Sequence, residues 1–221
     1  MMNRRRFLYT AVSSAAMFAS APRVFGAAAK YDLLIKGGRV IDPSLRLDAV
    51  YDVGISDGRI AAVEANITTE AVQTIEARGK IVTPGLIDIH THCARSGEGP
   101  GMVLQDGVTG WIDAGSQGAD HIADTIAVAK TSSQQGRVLI NVGRAGVVSD
   151  GDTMDINRAD VGALRDAIAR NRDFIVGIKA RLSRDVAGAN DYEVLRRAQE
   201  VATAFNPVSY THLTLPTIYS V

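Results

Sequence analysis

Two histidines separated by one residue, His90 and His92, are the side chains of this sequence best suited to chemistry. They end the apolar run 81–92 (Ile-Val-Thr-Pro-Gly-Leu-Ile-Asp-Ile-His-Thr-His), whose Pro-Gly step marks the start of a new strand. Alternate residues of a strand share a face, so the two imidazoles point to one side with Cα atoms roughly 7 Å apart. Such a pair can bind one metal ion. Asp88 lies one step deeper on the same face, where its carboxylate could orient an imidazole.

Four other polar residues stand in or after apolar runs that read as buried strands. Lys179 lies within Val-Gly-Ile-Lys-Ala, where an ammonium is costly unless it is paired or modified, although an unmodified lysine that reaches solvent is equally compatible with the strand alone. Asp113 within Gly-Trp-Ile-Asp-Ala could support a metal ligand or bond to a neighbouring strand end. Arg144 and Arg181 follow predicted strands, and each could bind a substrate carboxylate or form a surface ion pair.

The order of elements predicts two domains. Residues 30–83 read as short strands separated by glycine turns, with Asp57-Gly58 as a hairpin turn, which favours the N-terminal part of a small β-sandwich. From 84 to 208, strands alternate with amphipathic helices, which predicts a parallel sheet with right-handed crossovers. The predicted strands are 32–36, 39–41, 50–55, 59–63, 74–76, 80–82, 110–114, 136–142 and 174–182, and the predicted helices are 119–132, 158–170 and 190–205.

The second domain is too short for a closed barrel. Eight strand and helix pairs take about 250 residues, and the residues after 83 hold four pairs and the beginning of a fifth strand. The predicted fold is therefore α/β, a partial (β/α)8 TIM barrel of the first four to five strands preceded by a β-sandwich segment. Residues 209–221 lose the expected alternation and are interpreted as a non-native tail on an N-terminal fragment.

Residues 1–29 have the composition of an export signal. The cluster Asn-Arg-Arg-Arg-Phe-Leu at 3–8 precedes a modestly apolar run and small residues at 26–29, which resembles a twin-arginine signal peptide. The run is too short for a permanent membrane anchor. We expect the twin-arginine export machinery to carry the protein to the periplasm; a basic amphipathic stretch without an export role is the alternative.

Composition excludes several classes of partner. The formal net charge is +0, with 46% hydrophobic and 22% charged residues, which is typical of a globular domain. Basic residues form no run beyond the first residues, so nucleic acid is not expected as a partner. The single cysteine, Cys93, excludes an internal disulfide and fits a small buried residue better than a metal ligand.

Three motifs together resemble the amidohydrolase superfamily of metal-dependent hydrolases, in its dihydroorotase and deacetylase branch. They are Pro-Gly-Leu-Ile-Asp-Ile-His-Thr-His, Gly-Val-Thr-Gly-Trp-Ile-Asp-Ala-Gly and Gly-Ile-Lys-Ala-Arg, within a resemblance that covers about residues 31 to 208. The resemblance implies that His90 and His92 bind one metal and that Lys179, carboxylated by CO2, bridges to a second. It implies two zinc ions, with manganese or cobalt as alternatives.

The resemblance also implies the reaction. A metal-bound hydroxide would hydrolyse a small amide, cyclic amide or acyl ester. A mononuclear deaminase of the same barrel, which needs no bridging lysine, and a non-catalytic periplasmic binding module are the alternatives. The family's other ligands and its proton-shuttling aspartate belong to later strands, so these 221 residues are expected to be inactive alone, and the intact protein is expected to be a homo-oligomer.

Overall fold

The computed structural model of the chain describes residues 30–205 and the backbone of residues 208–212. The described residues form two compact units that divide between Pro84 and Gly85. The predicted signal peptide at 1–29 and most of the predicted tail at 209–221 lie outside these residues. Within the described part of the chain, no helix combines the length and the apolar character that a membrane crossing requires.

The N-terminal unit is built on one mixed five-stranded sheet. Its strands are β1 (Tyr31–Asp42), β2 (Leu47–Ser56), β3 (Arg59–Glu64), β4 (Ala71–Glu76) and β5 (Ile81–Val82). The order is β3-β2-β1-β4, with β5 also paired to β1; β1 runs antiparallel to β2 and parallel to β4 and β5. The sequence predicted part of a β-sandwich; the described residues of this unit form one sheet, and the second layer stays a prediction.

Local sequence explains two features of this sheet. Asp57 and Gly58 have φ angles of 51° and 68°, and Ser56 pairs with Arg59, so the predicted two-residue hairpin is confirmed. The strands predicted at 32–36 and 39–41 are instead one strand, β1. A register shift between Ile35 and Gly38 absorbs the glycine pair without ending the pairing with β2.

The C-terminal unit alternates strands with helices around a parallel sheet. Its strands are β6 (Leu86–Thr91), β7 (Val108–Ala114), β8 (Gln135–Asn141), β9 (Ile175–Arg181) and β10 (Val208–His212). Its helices are α1 (Gly99–Gln105), α2 (Ile122–Thr131), α3 (Val161–Arg170), α4 (Arg184–Ala187) and α5 (Asp191–Phe205). Two 3-10 turns lie at Cys93–Arg95 and Ile156–Arg158. The strands are parallel in the order β10-β9-β8-β7-β6. Consecutive parallel strands joined by helices are the first part of a (β/α)8 barrel, which confirms the predicted fold class.

One apolar core fixes β8 and β9 against three helices. The core takes strand residues such as Val138 and Ile178, both 0% exposed, and faces of α2, α3 and α5 that repeat with helical spacing. Each large aliphatic side chain buried in this way contributes about 1.5–3 kcal/mol. The helix residues of this core include Ile122, Ile126, Leu164, Ala167, Ile168, Val194, Ala198 and Val201. The core holds the ends of β8 and β9 in place for the site described next.

Candidate metal-binding site

A cavity of about 280 Å³ opens at the carboxyl ends of the parallel strands. This is the end of a (β/α)8 barrel at which active sites lie. The described residues that line the cavity are His90, His92, Val147, Lys179, Arg181, Ser183 and Asp185. The structure therefore brings three predicted metal ligands and one predicted substrate-binding residue to the same space.

The imidazoles and the lysine come together across the sheet. The rings of His90 and His92 have centroids 5.9 Å apart and planes at 77°, and Lys179 Nζ lies 3.5 Å from His90 Nε2. Two strands, β7 and β8, separate β6 from β9, and three strand spacings measure about 14–15 Å in a flat sheet. The short distance between the side-chain nitrogens therefore requires a sheet that curls around the site.

Lys179 lies on the wall of the cavity and is only 2% exposed. Burial lowers the pKa of its ammonium, the charge of Arg181 lowers it further, and Asp152 and Asp113 oppose this shift. Gly115, with a φ of +80°, lies against the stem of the lysine: a Cβ there would be 2.5 Å from Lys179 Cβ. A glycine at the end of β7 is thus what allows Lys179 to reach the cavity.

His92 is supported by a buried pair of polar residues. Its Nδ1 lies 2.7 Å from Ser116 Oγ, and Ser116 donates its hydroxyl to Asp113 Oδ2 at 2.8 Å and its backbone N–H to Asp113 Oδ1 at 2.7 Å. Burial lowers the pKa of the imidazole, and Lys179 also lowers it while Asp113 raises it. The sequence marked Asp113 as a supporting residue but did not indicate Ser116, because a turn residue shows no strand or helix periodicity.

Asp88 contacts the backbone of the first histidine. Its Oδ1 accepts a hydrogen bond from the N–H of His90 at 2.9 Å. This bond steadies the end of β6, where the regular pairing with β7 is interrupted between Asp88 and Thr91. The predicted contact of Asp88 with an imidazole stays a prediction.

Arg181 reaches the cavity beside a buried carboxylate. Its Nη1 lies 3.7 Å from Asp152 Oδ1, and Asp152, 1% exposed, also accepts hydrogen bonds from Asn141 Nδ2 at 3.0 Å and from the N–H of Val148 at 3.3 Å. Asn141 and Asp152 were not predicted from the sequence. Asn141 offered a signal, a polar residue at the end of an apolar strand, whereas Asp152 lies in a loop whose sequence has no period.

The other predicted substrate contact, Arg144, lies elsewhere. Its guanidinium forms an ion pair with Asp120 at 2.8 Å and approaches Asp160 at 3.5 Å, and it is not among the described residues that line the cavity. The structure thus shows the surface ion pair that the sequence left open for this residue. A substrate contact at Arg144 would have to displace two carboxylates.

The donor set fits a divalent cation. Within the described residues, no group of three or more His, Cys, Asp and Glu side chains is arranged to hold a metal. The candidate ligands described at this cavity are two imidazoles and a lysine. Imidazole nitrogens suit zinc and related ions. A lysine serves as a ligand only when it is neutral or modified, and the lowered pKa of Lys179 favours the neutral amine.

The chain is similar in sequence to proteins named deacetylase and to proteins named dihydroorotase. The chain is 34% identical over 177 residues to a deacetylase of Enterococcus faecalis, an alignment that covers 77% of this chain and 47% of the relative. It is 32% identical over 194 residues to a dihydroorotase of Geobacter sp. strain M21, covering 82% of this chain and 42% of the relative. No family model matches the chain.

A solved structure extends the comparison to the fold. The crystal structure of an adenine deaminase superposes with a TM-score of 0.72 at 30% identity, covering 84% of this chain and 52% of that protein. The chain spans about half the length of the known proteins that it matches.

Proposed function

We propose that this chain, which belongs to the amidohydrolase superfamily and is related to its deacetylases and dihydroorotases, forms part of a metal-dependent hydrolase. The intact protein would cleave a non-peptide C–N or ester bond in a small amide, cyclic amide or acyl ester. The observation that carries the proposal is the approach of Lys179 Nζ to within 3.5 Å of His90 Nε2 on the wall of one cavity.

The two histidines and the lysine would hold the metal, and each has a distinct task. A divalent cation bound there supplies a water of lowered pKa and polarises a substrate carbonyl. His90 and His92 present imidazoles from the end of β6. Lys179 provides an anionic ligand once its amine nitrogen adds to the carbon of CO2 and releases one proton, which leaves a carbamate with a single negative charge.

The environment of Lys179 favours this modification. Only the neutral amine has the lone pair that attacks CO2, and burial lowers the pKa of Lys179 toward that form. As a carbamate, Lys179 would present an anionic oxygen ligand to the cavity in place of an amine, and bound divalent cations would balance its buried negative charge. A binuclear centre of this kind would hold zinc, manganese or cobalt.

Arg181 would position the substrate. Its side chain is partly exposed on the cavity wall and pairs with Asp152. A guanidinium in this place can bind a carboxylate or carbonyl oxygen through two parallel N–H groups. Ser183 and Asp185 complete the wall beside it and offer further polar contacts.

A mononuclear deaminase is the second candidate, because a solved structure at 30% identity is that of an adenine deaminase. It would use the two histidines and would not need a carboxylated lysine. The two candidates therefore differ in the role of Lys179.

Counting metal in the intact protein separates them. We expect about two divalent ions per chain by mass spectrometry when the protein is produced with zinc and bicarbonate, and loss of at least one ion in Lys179→Ala. Lys80→Ala, at an exposed lysine of the N-terminal unit, should keep both. One ion in both the unmodified protein and Lys179→Ala would reject the binuclear centre in favour of the deaminase, and two ions in both would reject Lys179 as a metal ligand. Protein without metal under all these conditions would reject the hydrolase.

A further inference from the structure

Ser116 is a buried residue beside the cavity, and the proposed reaction assigns it no role. It follows β7 in the turn after Gly115 and is 0% exposed. Its hydroxyl oxygen lies 2.7 Å from His92 Nδ1 and 2.8 Å from Asp113 Oδ2. Asp113, also 0% exposed, is thus joined to the imidazole through a hydroxyl.

The hydrogen bonds of this group have one consistent direction. The carboxylate of Asp113 accepts two bonds from Ser116, one from the N–H on Oδ1 and one from the O–H on Oδ2. A serine hydroxyl has one proton, and here it is committed to Asp113. Ser116 Oγ can therefore only accept a hydrogen bond from His92, so that the proton of the ring must lie on Nδ1.

We propose that Asp113 and Ser116 are a positioning pair that selects the Nδ1–H tautomer of His92. In a neutral imidazole, a proton on Nδ1 leaves Nε2 with a free lone pair, and that nitrogen is the one available to a divalent cation. Only the role of Nε2 as a ligand of the cation rests on the proposed function. The tautomer itself follows from Ser116 and Asp113, whether or not the protein is a hydrolase.

The arrangement predicts an unusual effect of Asp113→Asn. An asparagine has one acceptor oxygen, which the N–H of Ser116 would take, and its amide would then donate to Ser116 Oγ. The hydroxyl would turn and donate to His92 Nδ1. The substitution would therefore move the ring proton to Nε2 and block the lone pair, while it changes almost nothing in shape.

The tautomer can be read in the chain as it stands, without metal or substrate. The chain is labelled with 15N and kept with a chelator at a mildly alkaline pH, and two-bond 1H–15N correlations report which imidazole nitrogen carries the proton. Magic-angle spinning serves the same purpose if the chain associates. A difference spectrum with His92→Gln assigns the ring. We expect a proton on Nδ1 of His92, and a proton on Nε2 in the unmodified chain would overturn the proposal.

Variants of Asp113 and Ser116 test their effect on the tautomer, and a separate measurement shows whether each variant is folded. Asp113→Asn should move the proton to Nε2, and Ser116→Ala should abolish the preference for Nδ1. Ser183→Ala, at another serine on the same cavity wall, should leave the tautomer of His92 unchanged. The amide spectrum of each variant shows whether it is folded, and the unmodified chain decides the question if a variant is not. A folded Asp113→Asn or Ser116→Ala that keeps the proton on Nδ1 would overturn the proposal.

A cobalt titration separates this proposal from the proposed function. Where the unmodified chain binds Co2+, Asp113→Asn should bind about 10–100 times more weakly, the usual loss when the group that orients a metal-binding histidine is removed. Equal affinity in a folded variant whose tautomer has moved would overturn the claimed effect on the cation. A chain with the Nδ1 proton that binds no Co2+ would contradict the metal site and leave the tautomer selection standing.

Discussion

The surroundings of Lys179 disfavour its charged form. The side chain is 2% exposed, and the guanidinium of Arg181 adds a like charge to the cost of burial. The carboxylates of Asp113 and Asp152 offset this in part. A pKa below the usual value means that the native state releases a proton that the unfolded chain still holds.

The stability of the metal-free chain should therefore depend on this residue in alkaline solution. Between the lowered pKa of Lys179 and the ordinary value of 10.5, the unfolded chain binds more protons than the native chain, so the free energy of unfolding rises with pH in that range. Urea unfolding in CO2-free buffer with a chelator should show this rise in the unmodified chain and a smaller one in Lys179→Met. Parallel pH profiles for the two proteins would contradict it.

At the scale of residues, the sequence indicated side chains that break a regular pattern. His90 and His92 end an apolar strand and Lys179 interrupts one, so the sequence singled out all three. They line one cavity, and their binding of a metal stays a prediction. Ser116 and Asp152 act through hydrogen bonds made by turns and loops, which leave no periodic trace in the sequence. Arg144 and Arg181 were both selected because they follow predicted strands. The two arginines differ in the structure because Arg144 pairs with Asp120 and Asp160.

Among the helices, α3 shows how a single side chain decides where an element begins. The sequence predicted a start at residue 158, but the helix begins at Val161 because Asp160 Oδ1 accepts a hydrogen bond from the N–H of Ala163 at 3.0 Å. This cap satisfies an N–H that the first turn would leave unpaired. Residues 156–158 form a separate 3-10 turn.

Removal of this cap should destabilise the C-terminal unit. We expect Asp160→Ala to lower the free energy of unfolding by about 0.5–2 kcal/mol in urea. Asp160→Asn keeps an acceptor at the cap and should lose little, since the partly exposed ion pair with Arg144 contributes at most about 1 kcal/mol. Asp166→Ala, at an exposed position of the same helix, is the control. Equal losses in Asp160→Ala and Asp166→Ala would contradict the capping role.

The sequence predicted long elements better than short or glycine-rich ones. In the C-terminal unit, strands β7, β8 and β9 and helices α2, α3 and α5 were expected within about three residues of their observed limits, because their apolar residues repeat with a clear period. The four-residue helix α4 was not predicted. Helix α1 was not predicted, because Gly99, Pro100 and Gly101 are poor helix formers. The proline lies in the first turn, where its missing N–H costs nothing.

At the scale of the whole molecule, three large apolar side chains of β6 are exposed to solvent. Leu86, Ile87 and Ile89 are 56%, 67% and 59% exposed. In the described sheet, β6 is an edge strand with β7 as its neighbour. An edge strand with exposed apolar side chains is a surface at which chains associate.

We therefore expect the chain to associate as its concentration rises. Light scattering after size-exclusion chromatography should show a mass above that of one chain, and the double substitution Ile87→Lys and Ile89→Lys should return it to a single chain. Tyr192→Lys replaces an apolar residue on α5 that is still more exposed, at 78%, and should have no effect. Association that persists unchanged in the β6 variant would show that another surface is responsible.

The approach of Lys179 to His90 has a further consequence for the stability of the native chain. These residues stand 89 positions apart, so a cation held by both would link two distant parts of the polypeptide. Because unfolding would separate these ligands and release the cation, the native chain would gain stability that grows with the ratio of the free cation concentration to its dissociation constant. The same ligands that prepare the cavity for chemistry would then also act as a clasp between the first and fourth strands of the barrel.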